Sequence, residues 1–66
     1  METTQRLVHL VSHWIEHNES HIAQLEEWVA RAREAGLASV ADHIDAAAEA
    51  MKQANAALER ARETLA

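Results

Sequence analysis

The sequence predicts an all-α protein, a two-helix antiparallel hairpin whose copies pair into a four-helix bundle. Three observations predict it: proline is absent, the single glycine, Gly36, falls just past the middle of the chain, and apolar residues recur at steps of three and four on both sides of it. A helical hairpin needs one residue that tolerates a left-handed backbone, and Gly36 supplies it.

The first helix is expected over residues 4–35, with Thr4 as its N-cap. Its apolar stripe reads Leu7, Val11, Trp14, Asn18, His21, Leu25, Trp28 and Ala32, flanked by Val8, Ile15, Ile22 and Val29. Trp14 and Trp28 read as core anchors. This face is wider than one partner helix covers. The turn falls at residues 36–37. The second helix is expected over residues 38–65, opened by Ser39 and Asp42 as a capping box or with Ser39 already inside its first turn. Its matching stripe is Val40, Ile44, Ala47, Met51, Ala54, Leu58, Ala61 and Leu65, with alanines that permit close approach. Two such stripes on one hairpin fit a second hairpin, so a homodimer is expected, with the relative direction of its two hairpins left open.

Composition narrows the function classes. At 66 residues the chain is one domain, short enough that a second source of burial or a staple is needed. Cysteine is absent, which removes disulfides and thiolate metal sites. Eleven acidic against 6 basic residues give a formal charge of -5, and the few arginines do not gather into a basic surface, so no nucleic-acid or anionic-membrane partner is expected. No apolar run reaches the roughly 20 residues that span a bilayer, and the N-terminus lacks a signal-peptide pattern; a cytoplasmic location is expected.

The chemistry-bearing feature is a row of histidines, His9, His13, His17 and His21, four residues apart on the first helix. Neighbours in the row share a side, but at about 3.6 residues per turn the row drifts around the cylinder. His9 points away from the core, His13 toward solvent, His17 to the boundary and His21 into the apolar stripe. Folding the chain about Gly36 sets Asn55 opposite Asn18, so His17, Asn18, His21, Asn55 and Gln53 form a polar layer in an otherwise apolar bundle. Buried and unpaired, such groups cost about 1–3 kcal/mol each, so they bond to one another, to water or to an ion.

Two imidazoles at i and i+4 can converge on one divalent transition-metal ion, nickel, zinc, cobalt or copper, through neutral nitrogen. Two ligands are too few for a tight site. Completion comes from His13, from Glu16, or from His17 and His21 of a second hairpin, with Asn18 or Asn55 orienting the rings. His43 lies near the turn, several helical turns away. The competing reading is metal-free: a buried polar layer sets the register of a dimerisation or docking hairpin, as one core asparagine does in coiled coils. No nucleophile with a base, phosphate loop or catalytic cleft is legible, so no enzymatic activity is expected.

The run His13-Trp14-Ile15-Glu16-His17-Asn18-Glu19-Ser20-His21, followed by Ala35-Gly36-Leu37 and an alanine-rich helix with Asn55, resembles a small helical domain of unassigned function with the pattern His-Trp-Ile-Glu-His-Asn-x-x-His. That domain stands alone or beside metal-handling proteins in bacteria and archaea, including nickel accessory proteins linked to carbon monoxide dehydrogenase. The resemblance covers nearly the whole chain. It implies His13, His17 and His21 as ligands with Asn18 beside them, and a metalloprotein or metal-accessory partner. Two functions are carried forward: a metal-binding or delivery module, and a metal-free docking hairpin.

Overall fold

The computed structural model describes residues 2–66. Helix α1 spans Glu2–Glu34 and helix α2 spans Ala38–Leu65. Thr4 therefore lies inside the first turn of α1 and does not cap it. Glu2 in that first turn puts a negative charge where the helix dipole favours one.

The turn is built by backbone geometry. Gly36 sits at φ +78, the amide of Leu37 donates to the carbonyl of Ala32 at 2.9 Å, and that of Gly36 donates to Arg33 at 3.0 Å. These two bonds close the last turn of α1 in the Schellman pattern, which places a left-handed residue one step past the cap. Helix α2 then starts at once. Leu37 is its N-cap, with no side-chain cap bond. Ser39 is thus within the first turn, and the capping box does not form. Asp42 pairs instead with Arg33 across the turn at 3.2 Å.

The helices run antiparallel along a seam whose spacing is regular. On α1 the seam residues are Val11, Ile15, Asn18, Ile22, Leu25, Val29 and Ala32; on α2 they are Ala41, Ile44, Ala48, Met51, Asn55, Leu58, Arg62 and Leu65. Alternating steps of four and three keep both rows facing each other along the length of a shallowly crossed pair. Ala41 and Ala48 are fully buried, and their small side chains let α1 come close.

This seam corrects part of the expected stripes. Val11, Asn18, Leu25 and Ala32 face α2 as expected, but their companions are Ile15, Ile22 and Val29, not Trp14, His21 and Trp28. Trp14 and Trp28 are 42% and 55% exposed, so neither is a core anchor within the hairpin. On α2 the column Ala41, Ala48, Asn55 and Arg62 replaces Val40, Ala47, Ala54 and Ala61. The resulting core is thin: among the described residues no large side chain is fully buried, and the molecule is a ribbon of 52 × 14 × 12 Å.

Candidate functional site

The two broad faces of the ribbon differ in chemistry. One is charged, with Lys52 of α2 donating to Glu26 of α1 at 2.8 Å and to Glu49 at 3.4 Å. The hydrogen bond and charge of Glu26, with Glu49 adding, hold the Lys52 ammonium above its ordinary value of 10.5. On the other face lie the columns one residue before the seam: Leu7, Trp14, His21 and Trp28 on α1, and Val40, Ala47, Ala54 and Ala61 on α2. In an antiparallel pair such columns share one side. Trp28 and Val40 indeed line one apolar depression of about 240 Å³ near the turn, with Ala32, Leu37 and Ile44. Arg31 rests its guanidinium 4.8 Å from the Trp28 ring while bonded to Glu27.

The expected polar layer divides between seam and surface. Inside the seam, Asn18 Nδ2 donates to Asn55 Oδ1 at 2.9 Å, and Asn55 Nδ2 donates to the carbonyl of Ile15 at 3.2 Å. The two amides thus join α1 to α2 by two bonds at mid-length. No buried side-chain nitrogen or oxygen among the described residues is left without a partner. His17 and His21 stand outside the seam, exposed on the open face; His21 is not inside the buried stripe. Gln53 is exposed as well.

The open face holds the chemistry. His17 Nε2 and His21 Nε2 are 2.9 Å apart, and their rings stack with centroids 4.6 Å apart at 25°. The i, i+4 spacing on α1 sets this contact, since side chains so spaced lie one above the other on a helix. His13 stands off, its ring 5.9 Å from that of His17 and tilted by 57°. His9 and Glu16 are exposed on other sides of α1, and His43 is exposed on α2. Among the described residues no three histidine or acidic side chains gather closely enough to hold a metal ion. The structure therefore brings together His17 and His21 but not His13 or Glu16. Asn18 and Asn55 spend their hydrogen bonds on each other and on Ile15, and neither bonds to an imidazole.

Sequence reasoning missed the exposed half of the site: the open face formed by Leu10, Trp14 and Trp28 around the histidine pair. The available signal was His21 itself. A column interrupted by imidazole costs more to bury than the uninterrupted column Ile15, Ile22 and Val29 beside it. Among the described residues no helix is long and apolar enough to cross a membrane.

A family model described as Domain of unknown function (DUF8180) matches residues 7–65, the whole of both seam rows included. No curated protein and no solved structure matches the chain.

Proposed function

The chain belongs to the DUF8180 family of domains of unknown function, and from the geometry of its first helix we propose that it binds a divalent transition-metal ion through His17 and His21. The observation that carries the reading is the 2.9 Å separation of the two Nε2 atoms on an exposed face. Metal–nitrogen bonds of about 2.0–2.1 Å set two ligating nitrogens about 2.9 Å apart when they meet the ion at a right angle, and about 3.3 Å apart at a tetrahedral angle. The two nitrogens already lie within the separation that one ion bridges, and rotation of the stacked rings turns their in-plane lone pairs onto it, so nickel, copper, zinc and cobalt are all candidates. In the free protein one Nε2 carries the hydrogen that the other accepts. Moving that hydrogen to Nδ1 of the same ring leaves both Nε2 lone pairs to the ion.

A binding and delivery role fits the exposure of the pair on the outer face of an open ribbon. The resemblance of the His13 to His21 run to a domain found beside metal-handling proteins supports a metal-accessory protein as the recipient. Calorimetric titration with nickel, zinc, cobalt and copper tests the reading. Micromolar or tighter binding of one of them, lost in the His17→Ala/His21→Ala variant, supports it; no heat with any of the four overturns it.

A second reading rests on a different observation, the Asn18–Asn55 pair. In it the hairpin is a metal-free docking module, and the asparagines set the register of the two helices. It predicts full partner binding in the double histidine variant.

A further inference from the structure

We infer that the open face is covered by a second copy of this chain, running antiparallel, and that the two His17–His21 pairs meet at the two-fold axis to hold one metal ion between them. This rests on the metal reading above and adds to it the partner, its direction and the stoichiometry. The starting point is that the site is half a site. Two imidazoles stand side by side, among the described residues no third histidine or acidic side chain joins them, and the face around them carries exposed leucine and tryptophan.

The occupant follows from area and position. The face measures about 52 by 14 Å, so a second copy laid along it covers roughly 700 Å² a side, close to the roughly 800 Å² per partner of a stable interface. His17 and His21 straddle residue 19, beside the midpoint of α1. A two-fold axis crossing the hairpin there, perpendicular to its length, stacks α1 on α1 and superposes the two histidine pairs. An axis along the length does otherwise. It sets α1 over α2 of the copy, leaves the two α1 helices on a diagonal of the bundle, and holds the imidazole pairs apart.

The order of side chains along α1 fits the antiparallel arrangement. With the axis at residue 19, His17 is level with His21 of the second copy, each two residues from the axis, and Leu10 is level with Trp28, each nine residues away. Leucine thus meets the apolar depression beside Trp28. Trp14 is level with Gln24, five residues from the axis, and Leu7 with Arg31, twelve residues away. Both partners are long chains whose methylene stems can lie along an apolar neighbour while their polar ends reach water at the edge. On α2, the Asn18–Asn55 contact puts Ala54 near the level of the axis, so Ala54 meets its own copy and Ala47 meets Ala61. The alanines bring the α2 helices close, while the tryptophans and histidines hold the α1 helices wider and leave room for the ion. Four imidazole nitrogens then complete a coordination shell.

Sedimentation of the full chain with and without nickel, zinc, cobalt or copper chloride, together with calorimetric stoichiometry, tests this. Half an ion per chain on a dimer is expected. The His17→Ala/His21→Ala variant, checked for unchanged helicity, should lose at least 100-fold in metal affinity. One ion per chain on a monomer overturns the shared site and leaves the metal reading standing; no binding of any of the four overturns both. Direction is read separately. A nitroxide on a cysteine replacing Gln5 should report about 40 Å between copies, from 14 residues on either side of the axis at about 1.5 Å each. A distance under about 20 Å overturns the antiparallel arrangement.

Discussion

Replacing Asn18 with leucine separates what the asparagine pair contributes from what the surrounding apolar seam contributes. Asn18 donates to Asn55 Oδ1 at 2.9 Å, and Asn55 still donates to Ile15 when Asn18 is gone. The single Asn18→Leu change therefore removes one net hydrogen bond and leaves one half-buried acceptor unpaired, against a gain in apolar burial. A net bond contributes about 0.5–1.5 kcal/mol and an orphaned buried group costs about 1–3 kcal/mol, reduced here because water reaches the edge of a thin seam. Burying the leucine side chain in part returns about 1 kcal/mol. The expected loss is about 1 kcal/mol, a fall of about 4–8 °C in melting temperature for a chain of this size. Asn55→Leu should cost more, since it breaks both bonds. The double variant Asn18→Leu/Asn55→Leu should return to within about 1 kcal/mol of the parent or exceed it, because replacing both partners leaves no orphan. Urea denaturation of all four proteins at one fixed concentration closes the double-mutant cycle. Additive losses in the double variant would refute the pairing as the reason these two polar residues sit in the seam.

Gly36→Ala should lower stability by about 1–2 kcal/mol although its Cβ meets nothing within 4 Å, because the φ of +78 itself is strained for an L residue; unchanged denaturation would show that the turn relaxes. A bound metal should raise the melting temperature at neutral pH and lose that effect in acid, since a protonated imidazole has no lone pair to donate; a shift that persists in acid would point to carboxylate ligands. The Lys52 ammonium is held above 10.5 in the folded chain, so its contribution is complete below that pH and is lost as pH rises through the higher folded value. Lys52→Met should accordingly flatten the alkaline limb of a stability profile, and an unaltered limb would count against the Glu26 pairing. Trp28→Ala should weaken self-association at least tenfold while leaving helicity near the parent value, as judged by sedimentation and circular dichroism.

The two-helix architecture was legible because its signals are local. One glycine between two proline-free amphipathic runs leaves a hairpin as the consistent solution, and Gly36 takes the conformation that only its lack of a Cβ makes easy. The seam was only half legible. Val11, Asn18, Leu25 and Ala32 belong equally to a row completed by Trp14, His21 and Trp28 and to one completed by Ile15, Ile22 and Val29, because both have the same alternating spacing. Side-chain size favours the tryptophans, whereas the cost of desolvating an imidazole favours the β-branched row, and the latter prevails.

On α2 the hairpin selects the less apolar of two columns, taking Asn55 and Arg62 and leaving out Val40, Ala47, Ala54 and Ala61. Apolar burial within one chain does not account for that choice. It follows once Asn18 is in the seam, because only the Asn55 column brings an amide to meet it, and Ala41 and Ala48 in the same column admit α1 closely enough for the bond to form. The asparagine pair thus sets the rotation of α2, as imidazole desolvation sets that of α1, and the remaining apolar columns of both helices are turned to one side. Had Trp14 and Trp28 faced inward, His21 would stand inside the seam beside the amides, with His17 at its edge. Because they face outward, the histidine pair stands where an ion and a second chain can reach it.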